Sequence, residues 1–249
     1  MQIQPMSESV HVKSVCSTVA LALVGTLVLG FASATRTSAT RTDAARTEAE
    51  TLSGTARVLD GDTLEISGVR VRLEGIDAPE HGQSCGQRGG GSWACGAAAA
   101  SALERMIGRQ TVDCSPSGQD KYGRTLGFCR AGTLDLNAEM VRKGFAWAFV
   151  KYSKVYVAAE AAARAASIGV WQGAADPPWV FRESRWMSAA PAAPKGCAIK
   201  GNVSAKGNIY HMPWSPWYGR VKVDTVRGER WFCTEADALA AGWRPAIAQ

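Results

Sequence analysis

Asp62, Arg72, Asp77, Glu80 and Arg124 have the types and spacing of a polar reaction centre. The stretch RLEGIDAPEHG, residues 72–82, begins as a half-buried strand and ends on Pro79 with acids on either side. Val69, Val71 and Leu73 alternate with Arg70, Arg72 and Glu74, the pattern of one buried and one open face. Ile76 then falls on the wrong parity after Gly75, so a bulge at Gly75 is expected to bring Asp77 out on the face that carries Arg72. Pro79 ends the strand and aims Glu80 from a loop. Asp62, in DGDT, is in phase with Leu64 and Ile66 and is expected to point inward, where an unpaired carboxylate is costly and needs a cation. Two carboxylates with a backbone carbonyl and waters form a sparse oxygen site that suits Ca2+ or a similar hard ion. Taken alone, Asp60-Gly61-Asp62-Thr63 reads as a plain hairpin turn. DKYGR, residues 120–124, supplies Lys121, Tyr122 and Arg124, a density that suits phosphate contact and equally an ordinary solvated turn. Together, a metal on Asp62 and Asp77, a Glu80 that orients or deprotonates water, and Arg72 and Arg124 facing phosphoryl charge describe phosphodiester hydrolysis. Competing chemistries are less complete: His81 and His211 lie in different modules.

These groups need a scaffold, and the chain supplies a β-rich one. TARVLDGDTLEISGVRVRLEGIDAP contains three strand-like runs joined by Asp60-Gly61 and Ser67-Gly68, which predicts a meander. WACGAAAASALERMIG predicts a helix, and QTVDC and RTLGFCRA predict a strand pair joined by SPSGQDKYG. LDLNAEMVRKG and YVAAEAAARAASIG are both helical and each stops at glycine. The expected fold is α+β: a five-stranded OB-type barrel with about three helices, over residues 52–183. AADPPWVFRESRWMSAAPAAPKG loses periodicity among prolines and alanines, so a linker is expected over 184–195, followed by a small module over 196–249.

Composition narrows the class. The chain of 249 residues is 46% hydrophobic and 20% charged, which excludes a disordered or fibrous protein. A formal charge of +6 favours a polyanionic partner only slightly. Residues 1–34 read as an export signal, with Lys13, an apolar run from Val15 to Phe31 and Ala32-Ser33-Ala34; an uncleaved membrane anchor is the alternative. Residues 35–51 repeat Thr, Arg and Ala as a solvated tether. The protein is thus expected to be exported, periplasmic or secreted. Of its 7 cysteines, those other than Cys16 suggest three disulfides, and local order offers Cys85 with Cys95, Cys114 with Cys129 and Cys197 with Cys233. A zinc site is the rival, disfavoured because no Cys-x-x-Cys pair occurs. The module's small size favours a staple between Cys197 and Cys233.

VLDGDTLEI, VRLEGIDAPE, DKYGRTLGF, LNAEMVRKGFAWAF and GVW, in this order between Thr55 and Arg182, resemble the staphylococcal nuclease (thermonuclease) family. The resemblance implies an OB-fold and Ca2+-dependent cleavage of DNA and RNA, with Asp62, Asp77 and the Ala78 carbonyl as ligands. It implies Glu80 as general base or water positioner, and Arg72 and Arg124 as phosphate clamps. Lys121, Tyr122 and Tyr152 match positions that hold a nucleotide's terminal phosphate or base. Ala78 stands where the best-known member has threonine, and the glycine-rich loop from His81 to Cys95 is longer than usual. CAIKGNVSAKGNIYHMP…GERWFCTEADALAAGWR resembles a small module appended to bacterial nucleases of this kind. Its aromatics, with Lys200, Lys206, Arg220, Lys222 and Arg230, suggest contact with nucleic acid or the cell envelope, or simply a core. A monomer without a stable protein partner is expected. The rival function is an OB module that binds nucleic acid with little or no catalysis; the complete acid and arginine set speaks against it.

Overall fold

The two turn dipeptides fold as the sequence dictates, and everything at the site hangs from them. A computed structural model describes residues 51–205 and 207–246, so the expected export signal and almost all of the tether lie outside the described residues, as does Lys206. In chain order the elements begin with β1 (Leu52–Gly54), β2 (Ala56–Asp60), β3 (Thr63–Ile66), β4 (Val69–Leu73), β5 (Ile76–Asp77), β6 (Cys85–Gly86) and β7 (Ser92–Trp93). They continue with α1 (Cys95–Ile107), β8 (Val112–Gln119), β9 (Thr125–Ala131), β10 (Leu134–Asp135), α2 (Leu136–Arg142), β11 (Trp147–Ala148) and α3 (Val157–Ala165). The last are α4 (Pro178–Ala189), β12 (Ile199–Ser204), β13 (Gly207–His211), β14 (Arg230–Phe232), α5 (Glu235–Ala240) and β15 (Arg244–Pro245).

The main sheet runs β1-β8-β9-β4-β3-β2, with β4 and β9 parallel and the other pairs antiparallel. Its two ends are consecutive pieces of chain. β1 pairs with β8 and β2 with β3, and only Thr55 separates β1 from β2, so one bent strand closes the circuit. Counting that strand once leaves five, the OB arrangement. Leu64, Ile66, Val71 and Leu73 point inside, where Ala99 and Leu103 of α1 and Met140 of α2 cover them.

Two local readings of the sequence need correction. Gly75 does not form a bulge within β4. With φ at +75° it turns the chain out of the sheet, and β5 pairs with β11 instead, Asp77 opposite Trp147. Asn137 secures that turn. Fully buried, it accepts a hydrogen bond from the Cys129 N–H (3.0 Å) and donates to the carbonyls of Glu74 (3.0 Å) and Gly127 (3.2 Å). The second correction concerns the linker over 184–195: α4 continues through Ala189, and tight 3-10 turns follow at Ala190–Ala192 and Pro194–Gly196. Pro177-Pro178 acts as a helix start, because proline in the first turn lacks only an N–H that the helix does not use.

The C-terminal module is a four-stranded sheet, β14-β12-β13-β15, with α5 against it. Thr234 and Asp237 form a capping box at the start of α5. Ile199, Tyr210, Phe232, Ala238 and Trp243 make the core, and Trp186 of α4 packs against it. Helix α4 is therefore a strut of the module, not a spacer before it.

The structure pairs Cys85 with Cys95, Cys114 with Cys129 and Cys197 with Cys233. Cys114 and Cys129 are directly opposite each other on β8 and β9, and β8 runs on past them through Pro116 to Gln119, further than the sequence suggested. Closing a loop of this length stabilises by about 3 kcal/mol, chiefly by restricting the unfolded chain. A Cys114→Ala/Cys129→Ala protein is therefore expected to unfold at lower urea with a loss of about that size. An unchanged midpoint would mean that the barrel holds β8 to β9 without the bridge.

Candidate active site

Four carboxylates converge where β2, β3 and β5 end. β2 ends on Asp60, the turn after it supplies Asp62, β5 supplies Asp77, and the following loop supplies Glu80. Asp62 and Asp77 are buried, 4% and 0% exposed, so neither can be left without cationic or N–H partners. Arg72, at the end of β4, bridges them: Nη1 donates to Asp62 Oδ1 at 2.7 Å and Nη2 to Asp77 Oδ1 at 2.8 Å. Asp62 also accepts from the Thr63 hydroxyl and the Ala78 N–H, each at 2.9 Å. Burial pushes Asp62 up, but Arg72, the Ala78 N–H, Arg124 and Thr63 together hold it below the ordinary carboxylate range.

A second arginine completes the cluster. Arg182, on α4, donates through Nη2 to Asp77 Oδ2 (2.7 Å) and through Nη1 to Glu80 Oε1 (2.7 Å) and Asp77 Oδ1 (3.1 Å). Burial raises the Glu80 carboxyl to about 7; Arg182 opposes that rise, and Asp77 and Asp62 add to it. Burial, then Glu80 and Asp62, push Asp60 well above the usual range. Three of these carboxylates, Asp62, Asp77 and Glu80, touch the two guanidiniums, and burial, with repulsion among the acids, raises Glu80 and Asp60. An all-oxygen set with excess negative charge fits a hard cation. Among the described residues no three His, Cys, Asp or Glu side chains are arranged to hold a metal ion.

The Glu80 loop is held from below and from the side. A Cβ on Gly96, in the first turn of α1, would sit 1.7 Å from the Glu80 carbonyl oxygen, so any larger residue there would displace the loop. Gln83, buried, accepts from the Glu80 N–H (3.2 Å) and donates to the Asp176 carbonyl (2.7 Å), which ties the loop to the residues leading into α4. Cys85–Cys95 fastens the loop's far end.

The other sequence candidates divide. Arg124 lines the same cleft as Glu80, and Asp120 orients it by accepting from its Nε at 2.7 Å. Lys121 lies over the Tyr122 ring at 4.9 Å. Tyr152 is 67% exposed and packs edge-on against Phe149. None of these three lines the cleft. Lys200 belongs to the scaffold, since its ammonium donates to the carbonyls of Tyr218 and Val221. Arg182 was missed because the stretch around it was read as losing periodicity, with a linker from 184; the Pro-Pro start signal could have revealed the helix. Asp60 was missed because Asp-Gly is so good a turn.

Comparison with known proteins follows the same division of the chain. Residues 70–173 match the family described as staphylococcal nuclease homologue, and residues 183–245 match the family described as ArfC. The chain is 38% identical over 127 residues to the succinoglycan biosynthesis protein ExoI of Rhizobium meliloti (strain 1021), covering 50% of this chain and 66% of that protein. It is 36% identical over 146 residues to a micrococcal nuclease of Shigella flexneri, covering 51% of this chain and 78% of that protein. It is 34% identical over 137 residues to an uncharacterized endonuclease of Escherichia coli O157:H7, covering 52% of this chain and 83% of that protein.

Removing one cation from a buried ion pair typically costs 3–5 kcal/mol. Arg182 is about a quarter exposed and Arg72 would remain, so Arg182→Ala should lose about 3 kcal/mol at most in denaturant titration of chelator-treated protein. A loss below about 1 kcal/mol, the scale of an exposed pair, would mean that Arg72 alone satisfies Asp77.

Proposed function

Because the chain belongs to the staphylococcal nuclease family, we propose that it is an exported, Ca2+-dependent nuclease that hydrolyses phosphodiester bonds of DNA and RNA. One observation carries the reading: Asp62, Asp77 and Glu80 converge on the guanidiniums of Arg72 and Arg182, and Glu80 lines one cleft together with Arg124. The cation would be held by Asp62, Asp77 and the Ala78 carbonyl. When bound, it would supply fixed positive charge to a phosphoryl oxygen and lower the pKa of a water. Glu80, with its carboxyl near 7, orients the attacking water and accepts its proton at neutral pH. Arg72, anchored by both aspartates, and Arg124, anchored by Asp120, bring oriented positive charge to the phosphoryl group. Lys121, Tyr122 and Tyr152 provide the outlying contacts to the nucleotide.

Export is supported by the apolar N-terminal run in the sequence and by three cysteine pairs, which persist in oxidising compartments. Among the described residues no helix is long and apolar enough to cross a membrane.

Incubation with denatured DNA should give cleavage with Ca2+ and none after chelation; undiminished cleavage in chelator would exclude a metal-dependent centre. Glu80→Gln should lower turnover at least about a hundredfold with the melting temperature little changed, because a positioned base is typically worth 10²–10⁴ in rate. A variant within threefold of the parent would remove Glu80 from the mechanism. Asp62→Ala and Asp77→Ala should each weaken Ca2+ binding in calorimetry, and parental affinity in both would place the cation elsewhere.

A further inference from the structure

The aromatic residues of the C-terminal module fall into two groups. Tyr210, Phe232 and Trp243 build its core. Trp214 and Trp217, in the long segment between β13 and β14, stand outside that core and are only half-buried. Both line the cleft that Glu80 and Arg124 line from the barrel side, with Met212 beside them. The module is in close contact with the loop that carries Glu80. A Cβ on Gly82 would come within 3.0 Å of the Trp214 carbonyl oxygen, and the His81 ring lies nearly parallel to Trp217, with centroids 6.3 Å apart and planes 15° apart. His211 stands edge-on to Trp217 from the other module at 6.4 Å, so the indole is braced by imidazoles from both. The sequence had separated these two histidines; folding brings them to one tryptophan.

Aromatics serving only stability would have joined the core. Here two indoles line a cleft of about 150 Å³, a volume that accommodates a single six-membered ring. Its opposite wall bears a carboxylate and a guanidinium suited to phosphoryl chemistry. A planar ring carried by a sugar next to a phosphodiester is a nucleobase, and aromatic side chains bind unpaired bases by stacking with little regard to sequence. We propose that the appended module completes the substrate cleft, with Trp214 and Trp217 forming a stacking platform for one unpaired nucleobase next to the phosphodiester held at Glu80 and Arg124. This inference rests on the reading of the site as a phosphodiester-cleaving centre.

The test measures equilibrium binding of a fluorescent short oligothymidylate, and of an abasic oligonucleotide of equal length, by fluorescence anisotropy in Ca2+. Full-length Glu80→Gln protein serves as the parent so that turnover does not interfere. Adding Trp217→Ala or Trp214→Ala should weaken oligothymidylate binding at least about fivefold, the low end for loss of one stacked base, and leave the abasic strand within twofold. Trp217→Phe should restore most of the affinity, which separates lost stacking from lost folding. The platform is overturned if oligothymidylate binding stays within twofold, if both strands weaken equally, or if the parent binds neither strand. Failure of the underlying reading is seen separately: the unmutated protein with Ca2+ would then bind oligothymidylate and leave it intact.

Discussion

The bridge from Arg72 to Asp62 and Asp77 is the interaction on which the rest of the site depends. Two carboxylates with almost no solvent contact are brought together by a hairpin turn and a glycine turn, and repulsion between them would drive the turns apart. One guanidinium, rigid and doubly donating, sets their separation. Everything nearby serves that arrangement: Asn137 pins the backbone of the second turn, the Ala78 N–H fixes the first carboxylate, and Arg182 takes the outward oxygen of the second. Asp62, Asp77 and Glu80 thus share two guanidiniums between them, with Asp77 held by both.

Much of this was legible in the sequence because it depends on short-range geometry. Alternation over Val69–Leu73 gave the buried face, Ser67-Gly68 gave the hairpin, and cysteines placed for directly opposed strand positions gave the pairing on β8 and β9. The acids and arginines were legible because their spacing followed from the strands that hold them. Gly75 was recognised as the point where the phase changes, but its φ value could not be, and so a turn was read as a bulge.

What the sequence hid is long-range. Arg182 lies more than a hundred positions after Asp77, on a helix whose apolar face is defined by a different module. No local periodicity signals that its side chain ends among the acids. The approach of Trp217 to His81 is of the same kind: each lies in an irregular segment, and only the docking of module on barrel brings them together.

Helix α4 has one more consequence. Arg182 and Trp186 are four residues apart, on one helical face, yet the first reaches the acid cluster and the second packs in the C-terminal core. The staphylococcal nuclease family match ends at residue 173 and the second family match starts at residue 183, so Arg182 lies in the interval that neither covers and Trp186 lies within the second. The family matches and the electrostatics divide the chain at different places. A fragment ending at residue 173 would keep all four acids and lose a cation that balances two of them. The charge environment of the acids is thus set in part by a helix that also packs on the C-terminal core, so a change in how that helix is seated reaches both.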